Sequence, residues 1–210
     1  MRKGILAVVS GFSGSGKSTV TKMMAERYPQ YALSVSATTR SPREGEQEGV
    51  DYFFRTEDEF VKMVEEDAFL EYAYYVDHGY GTPAAFVEEQ RNAGKDVLLE
   101  IDIQGALKVK KKCPDAVLVF VTPPSAEELV RRLTLRGTEP DEVIRSRLQR
   151  AVEESAGMDL YDYLLINDDL EQCIQDLHLL LTTQHMQAGL QKDLIEDIRK
   201  ELAEREETKK

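Results

Sequence analysis

The chain has 210 residues, 41% of them hydrophobic and 31% charged, with a formal net charge of −12. That length supports one domain with its own core and room for small lobes. The acidic balance sets the surface against nucleic acid and anionic membrane, so neither is an expected partner. No run is long and apolar enough to cross a bilayer, and Cys113 and Cys173 have no spaced partners that would suggest a zinc site or a disulfide. A cytoplasmic protein is the simplest reading. Any anionic substrate then needs a local basic cluster, which makes the positions of the arginines informative.

The first apolar run, Ile5–Ser10, is short and leads directly into glycines, so it reads as a buried strand and not as a signal peptide. Gly11-Phe12-Ser13-Gly14-Ser15-Gly16-Lys17-Ser18 follows and fits G-x-x-x-x-G-K-[ST]. The glycines let the backbone curl so that successive N–H groups face phosphate oxygens. The helix expected over Lys17–Arg27 adds its positive N-terminal end. Lys17 is placed to reach the β- and γ-phosphates, and the Ser18 hydroxyl to ligate Mg²⁺. This loop specifies a nucleoside triphosphate and leaves the acceptor open.

A second strand is expected over Ala32–Ser36, and residues 37–82 then break the rhythm, being polar, aromatic and punctuated by Gly45, Gly49, Gly79 and Gly81. Within them Tyr52–Phe54 and Phe69–Val76 read as short strands, separated by a helix that Thr56 and Glu59 open as a capping box. Arg40 and Arg43 leave the second strand's end, with Tyr52 soon after. Guanidinium forks and a phenol suit a phosphate, although a solvated basic loop has the same composition.

Helix Pro83–Asn92, strand Val97–Ile103, helix Gln104–Lys111 and strand Val117–Val121 come next. Glu100 and Asp102, two apart on an apolar strand, are expected on one face and near Mg²⁺, or else satisfying neighbouring groups. A helix over Ser125–Arg136, with a capping box from Ser125 and Glu128, opens an arginine-dense stretch over residues 126–155. Arg131, Arg132, Arg136, Arg145, Arg147 and Arg150 lie there; they can neutralise a transferring phosphoryl group or pair with nearby acids. The last strand, Tyr163–Ile166, leads to a helix from about Leu170 with an apolar stripe at Ile174, Leu177 and Leu181. Leu190, Leu194, Ile198 and Leu202 mark a final amphipathic helix that docks on the body or on another subunit, which leaves a homodimer open. Strands alternating with helices argue for an α/β fold around a parallel sheet.

Taken in order, GFSGSGKS, SVSATTRSPREGE, VDYFF, FLEYA, YGTP, LLEIDIQGA, VFVTPPS, LRGTE and INDD resemble the guanylate kinase family from about Ile5 to Leu181. The resemblance implies a three-layer phosphate-loop fold with a five-stranded parallel sheet: a core over 1–36, 83–125 and 156–189, an acceptor lobe over 37–82, a lid over 126–155, and a separate C-terminal helix over 190–210. It implies Mg²⁺-dependent transfer from ATP to GMP, and to dGMP. By position it puts GMP against Ser36, Arg40, Arg43, Tyr52, Glu71, Tyr80, Thr82 and Asp102. It selects Lys17, Arg40, Arg132, Arg136 and Arg147 for catalysis, the loop Gly11–Ser18 with Asn167 for ATP, and Ser18 with Glu100 for the metal. Asn167 and Asp168 resemble the family's adenine-side corner, while Asp168 or Asp169 equally suits a helix N-cap.

Overall fold

The computed structural model describes residues 2–135 and 141–207. Five strands, β1 (Leu6–Gly11), β2 (Tyr31–Leu33), β7 (Asp96–Glu100), β8 (Val117–Thr122) and β9 (Tyr163–Ile166), form one parallel sheet in the order β2-β7-β1-β8-β9. Every residue of β1 up to Ser10 is buried, because both faces are covered. Leu6 and Val8 pack in one core with Val87, Ala106, Val109, Leu129 and Leu133. Ala7 and Val9 pack in the other with Val20, Met24, Ile174, Leu177 and Leu181. Such two-sided burial is why the central strands β1, β7 and β8 read as apolar runs; each fully buried Leu or Ile contributes about 1.5–3 kcal/mol. The helices over the first face include α3 (Ala84–Asn92), α4 (Ile103–Lys112) and α5 (Ala126–Leu135). The second face carries α1 (Lys17–Arg27) and α7 (Leu170–Gln184), the latter N-capped by Asp169.

From β1 the chain crosses to the β2 edge, returns to β7 beside β1, and then jumps over β1 to β8. The carboxyl end of β1 is thus the point where the winding reverses, the place where open α/β sheets bind ligands. The glycine loop sits there.

A second sheet, β4-β3-β6-β5, is built from β3 (Ala37–Thr38), β4 (Phe53–Phe54), β5 (Phe69–Tyr75) and β6 (His78–Pro83). Its small core joins Ala37, Phe60 and Phe69, with Phe60 supplied by α2 (Glu57–Glu65). Thr56 and Glu59 make the expected reciprocal capping box. Val76 and Asp77 turn the β5–β6 hairpin with φ of 47° and 64°. The turn fits the twist of the strands, but a β-branched residue is strained in that conformation.

Several expectations from sequence are corrected. The second strand ends at Leu33, short of the expected Ser36, because Ser36 already pairs with the other sheet: its carbonyl accepts from Phe53 N at 2.9 Å. The third core strand ends at Glu100, short of Ile103. Asp102 is therefore the N-cap of α4, its Oδ1 accepting from Gly105 N at 2.9 Å, and it does not share a strand face with Glu100. At α5 the Ser125 hydroxyl accepts from Glu128 N, but the Glu128 carboxylate holds Arg131 and Arg132, so only half of that capping box is present. The final helix, α8 (Lys192–Glu207), follows α6 (Asp141–Ser155) and α7 in chain order. Its Leu194, Ile198 and Leu202 are exposed, as is Leu190, so the stripe does not lie on the body.

Candidate active site

The glycine loop is shaped by backbone conformation. Gly11, Gly14 and Gly16 have φ of 153°, 87° and 88°. A Cβ on Gly16 would stand 2.3 Å from Asn167 Nδ2, and one on Gly11 would stand 2.2 Å from Val121 O. Gly16 is also the N-cap of α1, which aims the helix's free N–H groups into the loop. Ser13, Gly14, Gly16, Lys17, Ser18 and Thr19 line a small cavity of about 180 Å³ there. Lys17 Nζ rests 3.4 Å from Phe12 O. Phe12 turns inward and packs edge-on against Phe120 at 5.0 Å. Ser15 is fully buried, and its carbonyl accepts from Asn167 Nδ2 at 2.7 Å. Asn167 is itself buried, so its amide braces the loop from behind.

Next to the loop, Ser18 Oγ donates to Glu100 Oε1 at 2.5 Å, and Thr21 Oγ1 donates to Glu100 Oε2 at 3.2 Å. Strand β7 and helix α1 thereby bring hard oxygen donors together. Sequence reading missed Thr21; its position three residues after Ser18 on one helix was the available signal.

Across the sheet's end lies a cleft of about 370 Å³ whose lining includes Ser36, Tyr52, Glu71, Tyr80, Glu100 and Asp102. Five of the eight acceptor residues expected from sequence thus meet in one place. Thr82 is fully buried and joins them through Glu71, donating to its Oε1 at 2.7 Å. Burial pushes the Glu71 carboxyl up from its ordinary value, Thr82 opposes that shift, and Asp102 adds to it. Arg40 stands at the edge, its Cζ 5.4 Å from the Tyr52 ring centroid and its Nη2 2.8 Å from Glu46 Oε1. Glu46 raises the Arg40 pKa further, and Arg40 lowers that of Glu46. Arg43 is exposed on the same loop, and its backbone N–H donates to Glu46 at 2.7 Å.

A further cleft of about 470 Å³ connects the two, lined by Gly11, Ser13 and Lys17 on one side and by Arg147, Arg150 and Glu154 of α6 on the other. Arg147 therefore lines the same cleft as Lys17. Arg132 is held by Glu128 at 2.7 Å, and the two arginines on Glu128, Arg131 foremost, bring that carboxyl down to about 2. Arg136 lies outside the described residues. Among the described residues no group of three His, Cys, Asp or Glu side chains could hold a metal, and no helix is long and apolar enough to cross a membrane. His178 stacks on Tyr28, and His185 pairs with the buried Asp96, both away from the clefts.

Comparison with known proteins gives one consistent result. The profile described as guanylate kinase matches residues 3–184. A guanylate kinase of Caldanaerobacter subterraneus is 48% identical over 200 residues, covering 95% of this chain and 97% of that one. One from Sphingopyxis alaskensis is 50% identical, covering 92% and 89%. The crystal structure of guanylate kinase from Anaplasma phagocytophilum superposes with a TM-score of 0.67 at 32% identity, covering 89% of each chain. With a glycine loop, an acid-lined acceptor cleft and an arginine-bearing helix between them, this chain belongs to the guanylate kinase family.

Proposed function

We propose that this protein transfers the γ-phosphoryl group of ATP to GMP, and to dGMP, releasing ADP and GDP. The observation that carries the reading is the pairing of part-buried Glu71 with buried Thr82 in a cleft that opens toward Lys17. Guanine's pairing edge presents N1–H and N2–H₂ donors, which one carboxylate accepts together. Thr82 spends its proton on Glu71, which leaves Ser36 to donate to O6. Adenine presents an acceptor at N1 and would set a lone pair against the remaining oxygen of part-buried Glu71, the kind of mismatch that discriminates strongly. Tyr52, Tyr80, Arg40 and Arg43 supply the donors for the acceptor's phosphate, and Asp102 borders it.

No general base is required. A phosphate monoester with a second pKa of about 6 is largely dianionic at neutral pH. Lys17 and the loop N–H groups hold the donor phosphates, and Arg132, Arg136 and Arg147 are the family's candidates for the charge that moves in transfer. Ser18 and Glu100 are hard oxygen donors beside the loop and fit Mg²⁺. When bound, that ion would neutralise charge on the β- and γ-oxygens. An acceptor panel read as ADP release tests the proposal: GMP and dGMP should support turnover, and comparable turnover with AMP would sink the guanine assignment.

A further inference from the structure

The expected catalytic arginines of the 126–155 stretch are Arg132, Arg136 and Arg147; the structure singles out another. Arg150, Asp102 and Tyr75 line both the acceptor cleft and the cleft facing Lys17. Arg150 is the cation of the three. It rises from α6, where Glu154 one turn later accepts from its Nε at 3.1 Å. That bond fixes the guanidinium by its inner edge and leaves Nη2 reaching into the junction, 3.7 Å from Asp102 Oδ2. Asp102 Oδ1 is occupied as the cap of α4. The Arg150–Asp102 contact is beyond hydrogen-bond length, and both side chains are about half exposed. Glu154 is much less exposed, and its Oε2 is buried without a hydrogen-bond partner. One end of the arginine is therefore anchored and the other is loosely held.

A loosely held guanidinium between two phosphate-binding clefts is suited to a phosphate. Arginine's fork takes two oxygens at once, and a phosphate dianion outcompetes one distant, solvated carboxylate. We propose that Arg150 is a further catalytic residue, leaving Asp102 to bind the phosphate at the junction where the acceptor's phosphate meets the donor's terminal phosphate. There it neutralises the repulsion between two anions drawn together for in-line transfer. The inference rests on the reading of the acceptor cleft as the GMP site.

A dinucleoside polyphosphate with adenosine at one end and guanosine at the other tests this, because its chain must cross the junction. Its affinity is measured by calorimetry beside those of ATP and GMP separately, for wild type, Arg150→Ala and Arg150→Lys. Arg150→Ala should weaken the bridged ligand by at least about tenfold and each single nucleotide by less than about threefold. Arg150→Lys should recover part of the loss, since charge is kept and the fork is lost. A bridged-ligand loss no larger than the single-nucleotide losses would overturn the role, and so would equal losses of all three, which signify a structural effect. Failure of wild type to bind GMP at all would instead overturn the acceptor reading, and Arg150's role with it.

Discussion

Under the proposed function, the donor loop and the acceptor cleft recognise phosphate and base by different means. The loop works mainly with backbone: three glycines at positive φ and a helix N-terminus, with one lysine, seated at the reversal point of the parallel sheet. The acceptor cleft works with side chains drawn from several elements: Ser36 before β3, Glu71 on β5, Tyr80 and Thr82 on β6, and Asp102 at the head of α4. Backbone recognition is blind to the base and serves any triphosphate. Side-chain recognition of the kind proposed is specific, because a part-buried carboxylate already committed to one hydroxyl has a defined remaining demand. The proposed assignment thus separates affinity for phosphate from choice of nucleoside.

Mutations can break this division in a graded way. Removing the loop's charge should do most: Lys17→Ala is expected to lower kcat by about 10²–10³-fold with any acceptor, read by steady-state ADP release. Gly16→Ala should come close to that, since the new Cβ collides with Asn167 Nδ2 and the left-handed backbone resists a side chain; loss of ATP binding by calorimetry is the readout. Thr82→Val strips the hydroxyl from Glu71 and should cost about tenfold in kcat/KM for GMP while ATP affinity holds. The pH profile gives a subtler separation. Glu71 has a raised pKa, so GMP use should fall as pH drops through a value above the ordinary carboxylate range, about 4.3. GMP's own ionisation near 6 overlaps that window. The difference between wild type and Glu71→Gln profiles isolates the residue, and identical acid limbs would contradict the assignment. Smallest of all, a chain ending at Gln191 should keep kcat/KM for GMP within about twofold, because the α8 stripe is exposed and no α8 residue lines either cleft.

The same contrast explains what could be read before the fold was known. The loop is contiguous, so Gly11–Ser18 states its own chemistry. The parallel sheet was legible because burial on both faces leaves unbroken apolar runs such as Ile5–Ser10. Strand ends were not, since Ser34–Ser36 and Ile101–Asp102 keep extended-looking residues where the chain changes sheet or starts a helix. Asp102 looked like a strand carboxylate and proved to be a cap. The acceptor residues emerged from sequence through family resemblance, because 66 positions of chain separate Ser36 from Asp102 and no spacing rule joins them. Arg150 was hidden among other arginines; its i,i+4 partner Glu154 was the one local sign that it was held in place.

In the proposed function Glu71 reads guanine and leaves the triphosphate alone. Glu71→Gln, assayed for kcat/KM with GMP and for ATP affinity by calorimetry, puts it to the test. The expected result is a loss of about 10²-fold in the first and no change in the second. Equal loss of both would contradict it.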